Sequence, residues 1–153
     1  MSTLIDSRVR RSVARAAAVA LALTALSLLT GCMMFAKAPS DLDYARTRRS
    51  EVGLYVATIH PTGDSIPRGK LHQWTLHLET SAGVPVDSAN VSIDGGMPQH
   101  GHGLPTKPRV TRALGHGDHM VEGMKFNMGG WWVVKFRISA ASGRDSLVFN
   151  LSL

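Results

Sequence analysis

The chain has 153 residues, with 17 Lys or Arg, 11 Asp or Glu and a formal net charge of +6 when the seven histidines are neutral. This length provides one small domain and little more. Four basic residues and one acidic residue precede Cys32, and without that segment the net charge falls to about +3. Such a mild charge argues against nucleic acid as a partner.

Residues 1–31 have the layout of a bacterial secretory signal. A basic start is followed by an apolar run that is rich in Ala and Leu and too short to favour a stable membrane span. We therefore predict a signal peptide helix over 1–31, with an uncleaved anchor as the weaker alternative. The basic residues are Arg8, Arg10, Arg11 and Arg15.

The segment from Leu29 to Cys32 resembles the bacterial lipobox, in which the cysteine becomes the lipidated first residue after cleavage. Cys32 is also the only cysteine of the chain, so it has no partner for a disulfide. The resemblance implies a lipid anchor that holds the protein at a membrane on the periplasmic side of the cell envelope. Met33 in place of Asp favours the outer membrane over the inner. The alternative is a plain signal peptide with an incidental cysteine.

The remaining sequence predicts a lipidated tether over 32–50 and one β domain over 51–153. The tether mixes charges with Pro and Ser without a clear period, and a short helix over 42–49 is an option within it. About seven short segments then alternate apolar and polar residues between turn signals, which predicts an all-β, immunoglobulin-like antiparallel β-sandwich. These segments are 52–59, 71–80, 89–95, 108–114, 119–128, 130–139 and 146–153.

No pattern in the sequence predicts an enzyme. The chain has no recognisable serine elbow, paired carboxylates or phosphate-binding glycine loop, and Cys32 is expected to carry lipid. A Ser-His-Asp grouping stays open, because such triads are defined in space and not in sequence. A hydrolase is therefore the weakest hypothesis.

The stretch MPQHGHGLPTKPRV, residues 97–110, predicts a metal-binding loop. In an extended backbone His100 and His102 project to the same side, while the flanking glycines allow a tight turn and the prolines stiffen the segment. Imidazole suits copper, zinc and nickel, and the thioether of Met97 would favour Cu(I). Copper is the cofactor that fits an exported His/Met site best.

His116, His119 and Met120 form a second group of candidate metal ligands, of which His119 or Met120 is a candidate to complete the site from a neighbouring strand. The sequence leaves open whether this group reaches the first. The alternative for His100 and His102 is a hydrogen-bonded turn in which the imidazoles satisfy buried carbonyls. The alternative for His116 and His119 is that they are surface histidines, and for the methionines that they fill the core. The tandem Trp131-Trp132 is expected to place one ring in the core and the other outside, near residues 97–110 (the His loop) or a partner surface.

With these residues in view, the sequence resembles the YtkA-like domains. The first block is the run from Met97 to Thr106, and the second includes Val121-Glu122-Gly123, Phe126-Asn127-Met128 and Gly130-Trp131. The resemblance implies an immunoglobulin-like fold and a relationship to FixH-type proteins of oxidase assembly and to small periplasmic copper-handling sandwiches. It also implies that Met97, His100 and His102 form the metal-binding set.

Two hypotheses follow for function. The first is a lipid-anchored extracytoplasmic domain that binds copper for holding or delivery to a cuproenzyme, such as a respiratory oxidase during assembly. The second is a metal-free structural or protein-interaction module of the cell envelope, with the stiff His loop and Trp131 as its contact surface.

Overall fold

The computed structural model describes residues 38–63 and 65–153, and all regular structure within them is β-strand. The all-β prediction is thereby confirmed. The strands are β1 (Thr47–Arg49), β2 (Tyr55–Pro61), β3 (His72–Thr80), β4 (Ala89–Met97), β5 (His102–Gly103), β6 (Arg109–Gly115), β7 (Asp118–Met124), β8 (Trp131–Ala140) and β9 (Gly143–Ser152). The predicted signal peptide helix and Cys32 lie outside the described residues. Within those residues, no helix has the length and hydropathy that a membrane crossing requires.

The strands form an antiparallel β-sandwich that nearly closes into a barrel. One layer has the order β1-β2-β3-β7-β6, and the other has β4, β8 and β9 with the short β5 on the free end of β4. The two layers share one ladder pair, Ser92 with Arg109. On the opposite side the Glu51 N–H donates to the Ser146 carbonyl at 2.8 Å. The core therefore lies between layers that are tied together along both edges.

The core is built from strands whose side chains alternate between the interior and the surface. In β8 the inward residues are Trp132, Val134, Phe136 and Ile138, each at most 2% exposed, as the alternation predicts. Aromatic rings pack within the core: Phe126, just after β7, meets Trp132 of β8 edge to face at 5.1 Å, and Phe136 meets Phe149 of the neighbouring strand β9 at 5.7 Å and 90°. This packing holds the sandwich together without a disulfide.

Two strands extend the fold beyond the seven that the sequence predicts. The first is β1, which lies within the predicted tether and pairs with β2, so the option of a helix over 42–49 is wrong. Thr47 and Thr58 share a hydroxyl hydrogen bond of 2.9 Å, and the buried Ser50 accepts from the Tyr55 N–H at 2.8 Å. The compact unit accordingly begins at Ala38 and includes part of the segment assigned to the tether. The second additional strand, β5, shapes the candidate site.

Candidate metal site

The predicted metal-binding loop connects β4 to β5 in a tight hairpin. Gly96 pairs with Gly103, and Met97 pairs with His102. This pairing depends on glycine in β4, because a Cβ atom on Gly96 would lie 2.3 Å from the His102 carbonyl oxygen. Gly96 therefore allows the chain to fold back closely on its own strand, while a Cβ atom on Gly95 would meet the Val133 carbonyl oxygen of β8 at 2.4 Å.

The turn itself is compact and hydrogen-bonded. The His100 and Gly101 N–H groups both donate to the Met97 carbonyl, at 3.1 and 3.0 Å. Gly101 has a φ of +63°, in the left-handed region that glycine adopts at little cost. The extended backbone expected for His100–His102 is therefore wrong, because the direction of the chain reverses between the two histidines.

The turn nevertheless brings the two imidazoles together. The rings of His100 and His102 have centroids 6.2 Å apart and planes inclined by 15°. Metal–nitrogen distances of about 2.0–2.1 Å hold the ring centroids of two imidazoles that share one ion within roughly 6.5 Å. Both histidines are exposed, so their rings can turn toward an ion without displacing the core. The pair suits a solvent-facing transition metal site.

Met97 lies beside this pair in the ladder, but its thioether is not presented to solvent. The residue is 1% exposed and belongs to the core. A Cβ atom on Gly130 would lie 3.1 Å from the Met97 methyl carbon, so this methyl fills the space beneath Gly130. The role that the structure supports for Met97 is packing, because a ligand role would require the sulfur to leave the core.

The second histidine group lies at the opposite end of β4. His116 and Gly117 have φ values of +55° and +82°, as in the two-residue turns that join β-strands, and this turn links β6 to β7. The Gly117 N–H donates to the Asp87 carboxylate at 2.6 Å, and the buried His119 ring bonds the Val86 carbonyl at 2.7 Å. Both contacts lie just before β4, whereas the His loop follows it.

The nine-residue β4 spans roughly 27 Å, so His116 and His119 do not complete the site of His100 and His102. Met120 is half-buried on β7, where it pairs with Thr75 of β3, and it likewise does not approach the loop. Among residues 38–63 and 65–153, no three His, Cys, Asp or Glu side chains are grouped so as to hold a metal ion.

One ionisable cluster was not predicted from the sequence. The His77 ring contacts Asp118 at 2.6 Å through Nδ1 and Glu79 at 3.2 Å through Nε2. Hydrogen bonds to Asp118 and then Glu79 raise the pKa of His77, against the opposing effect of partial burial. Because a carboxylate engages each ring nitrogen, this histidine joins β3 to β7 and is not placed to activate a serine. The sequence does not show the cluster of His77, Glu79 and Asp118, because Asp118 comes next to His77 only when β7 pairs with β3.

The tandem tryptophans are divided between core and surface, as predicted. Trp132 is 2% exposed, and its indole N–H donates to the Met128 carbonyl at 3.0 Å. Trp131 is half-buried on the outer face, where its indole N–H donates to the Asn150 side chain at 3.0 Å. It lines an open groove of about 640 Å³ together with His102, Val133, Lys135 and Val148.

Comparisons with known proteins place the domain in a family. Neither the curated proteins nor the solved structures include a significant match to this chain. The protein-family model described as YtkA-like matches residues 51–137, which include the His loop and seven of the nine strands in whole or in part. The chain therefore belongs to the YtkA-like family.

Proposed function

We propose that this protein is an extracytoplasmic, lipid-anchored domain that binds a transition metal ion, copper in preference to zinc or nickel, through His100 and His102. The observation that carries the proposal is the pair of exposed imidazoles with ring centroids 6.2 Å apart. Two neutral imidazole nitrogens are suitable ligands for a borderline metal ion.

The structure around the pair supports holding and delivery in preference to permanent storage. The turn is constrained by two hydrogen bonds to the Met97 carbonyl and by the glycine requirement at position 96, so little order must be acquired on binding. Because the histidines are solvent-exposed, ligands from a partner can approach the same ion. The ion could then be transferred by ligand exchange to a cuproenzyme, for which a respiratory oxidase under assembly is our first candidate.

Calorimetric titration of Ala38–Leu153 tests the proposal, since this compact unit contains the whole described core. The fragment is titrated with Cu(II), and with Cu(I) under reductant, after cooperative thermal unfolding has confirmed its folding. We expect one ion per chain with a micromolar or tighter Kd, and loss of binding in His100→Ala/His102→Ala. The matched control is His60→Ala/His116→Ala, which removes two exposed histidines elsewhere. Unchanged binding in the loop variant would contradict the proposal.

The anchor is a separate part of the proposal and rests on Cys32 at the end of the signal-like segment. Mass spectrometry of the full chain produced in a bacterium should show a processed protein that begins at a lipidated Cys32. Cys32→Ser should release the protein from the membrane fraction. An unprocessed chain, or a lipid-free chain in the membrane fraction, would contradict this anchor.

The groove beside the loop favours a second candidate function, a metal-free interaction module. Trp131 is held in place by Asn150 and presents an aromatic surface next to Val133 and Val148. Under this hypothesis Trp131→Ala should abolish association with an envelope partner, while the loss of both loop histidines should not. Co-purification of the tagged full chain from membranes, with both variants in parallel, separates the two functions.

A further inference from the structure

The His loop does not present a thioether ligand to a copper ion, because its methionine, Met97, is buried in the core. Met97 is 1% exposed and its methyl lies beneath Gly130. A copper ion at the exposed histidines would therefore have no sulfur ligand from the loop itself, although thioether sulfur is the ligand type that favours Cu(I).

Met128 offers such a sulfur on the chain that leads into β8. It is 42% exposed, and it is the one methionine among the large exposed hydrophobic residues of the described chain. Met128 and His102 line the same concavity, of about 450 Å³, together with Pro105, Asn127 and Trp132. The structure thus places an exposed methionine and an exposed histidine on the lining of one cavity.

The backbone around Met128 is held by hydrogen bonds, whereas its side chain is partly exposed. The Met128 carbonyl accepts from the buried Trp132 indole at 3.0 Å. Two residues later, Gly130 exchanges backbone hydrogen bonds with Leu153 at 2.7 and 3.1 Å. The unbranched side chain has three rotatable bonds, so it can reach toward an ion without moving this anchored segment.

We propose that Met128 is the third ligand of the site and makes it selective for Cu(I). The two imidazoles and the thioether then form a His/Met set in which His100 and His102 bind either oxidation state and Met128 contributes to Cu(I) alone. This inference rests on the proposed function, and it replaces Met97 with Met128 as the sulfur ligand.

If Met128 is a ligand, its loss should affect the affinity for Cu(I) and the affinity for Cu(II) differently. Loss of the thioether should weaken Cu(I) binding strongly and leave Cu(II) binding through the imidazoles nearly unchanged. A surface methionine with a purely structural role would not produce this difference, because its removal would act on both ions alike.

The test is a competition between Ala38–Leu153 and bicinchoninate for Cu(I), without oxygen, with a parallel Cu(II) titration. Met128→Leu is expected to weaken Cu(I) binding by about tenfold or more and to leave the Cu(II) Kd within about twofold. The matched control is Met97→Leu, which removes the buried thioether at nearly constant volume and should leave both affinities unchanged. X-ray absorption of the Cu(I)-loaded wild type should also show a copper–sulfur contribution that Met128→Leu lacks.

The outcomes separate this inference from the proposal beneath it. If His100→Ala/His102→Ala binds Cu(I) as tightly as the wild type, the proposed function fails. If that variant loses Cu(I) while Met128→Leu retains wild-type affinity, only the Met128 ligand fails. Reduced Cu(I) affinity in Met97→Leu, or sulfur scattering that persists in Met128→Leu, would also overturn the assignment.

Discussion

The α-carbon of Gly96 lies so close to the His102 carbonyl that a Cβ atom would be only 2.3 Å from its oxygen. The absence of a side chain at Gly96 lets β5 pair with β4, and this pairing positions His102, the first residue of β5 and one of the two candidate imidazoles. The geometry of the His loop therefore depends on a residue that has no side chain of its own.

Gly96→Ala should displace β5 and separate the two histidines. A backbone oxygen cannot move aside as a flexible side chain can, so the cost is strain in the hairpin, of about 1–3 kcal/mol. We expect Cu(II) affinity to fall at least tenfold in calorimetric titration. Gly103→Ala is the matched control, because its Cβ would meet no atom closer than 3.7 Å. Equal affinities in the two variants would count against the hairpin as the positioning device.

Gly101 provides a second and purely conformational test of the loop. Its φ of +63° strains most side chains, although a Cβ atom there would meet nothing within 4 Å. Gly101→Val should cost about 1–2 kcal/mol in this conformation and weaken copper binding, whereas Gly101→Asn should keep most of it, because Asn tolerates the left-handed region. Isothermal titration of both variants makes the comparison. A Gly101→Val variant with wild-type affinity would show that the turn need not be preserved.

Asp145 lies on β9, where its carboxylate accepts hydrogen bonds from the backbone that precedes β2. We predict that it stabilises this contact between the two layers above acidic pH. Burial alone would raise its pKa, but hydrogen bonds from Ser50 and from the Val52, Leu54 and Ser146 backbone lower it from 3.8 to about 2. A carboxyl whose pKa is depressed by folding contributes stability above its unfolded pKa. That contribution is lost as the pH falls through the folded value.

Asp145→Asn should therefore lower the free energy of unfolding by about 1–3 kcal/mol at neutral pH, because the amide offers one acceptor oxygen where the carboxylate offers two. The difference from wild type should shrink between pH 4 and pH 2 in thermal unfolding monitored by circular dichroism. Asp94→Asn, which changes an exposed carboxylate on β4, is the control and should have little effect. An undiminished difference at pH 2 would argue against a charge-dependent contact between the layers.

His77 is predicted to produce a smaller pH dependence of the opposite sign. Its pKa is raised by Asp118 and Glu79, so its contribution is complete below 6.5, the unfolded pKa, and is lost as the pH rises through the folded value. The side chain is 31% exposed, which limits the effect to about 1 kcal/mol or less. His77→Gln should flatten the fall in thermal midpoint above pH 6.5, whereas His60→Gln should retain the wild-type profile. If the thermal midpoint of His77→Gln falls with pH as steeply as that of the wild type, His77 and its carboxylate partners are not the origin of the pH dependence.

The strand pattern of the sequence predicts most of the fold because alternation records which face of a strand is buried. In β8 the alternation from Trp132 to Ile138 is unambiguous. The pattern does not reveal β1 or β5, since three residues and two residues are too short to show a period. The helix option over 42–49 is wrong because residues 47–49 pair with β2, and local sequence does not reveal this pairing.

The candidate site is only partly predictable from the sequence. The two-residue spacing of His100 and His102 indicates that their rings meet, although a turn and not an extended strand achieves it. Sequence proximity suggests Met97 as the sulfur ligand, but burial is a tertiary property and removes it from the surface. The separation of His116 from the loop follows from strand order, which local composition does not encode.

Copper binding at His100 and His102 is best tested by paramagnetic broadening in ¹H–¹⁵N spectra of Ala38–Leu153 during addition of substoichiometric Cu(II). Broadening falls steeply with distance from the ion, and β4 separates the two histidine groups by roughly 27 Å. We expect the amide signals of His100, Gly101, His102 and Gly103 to disappear first, while those of the turn at His116-Gly117 persist. Broadening centred on His116-Gly117, or no selective broadening, would contradict a copper site in the loop.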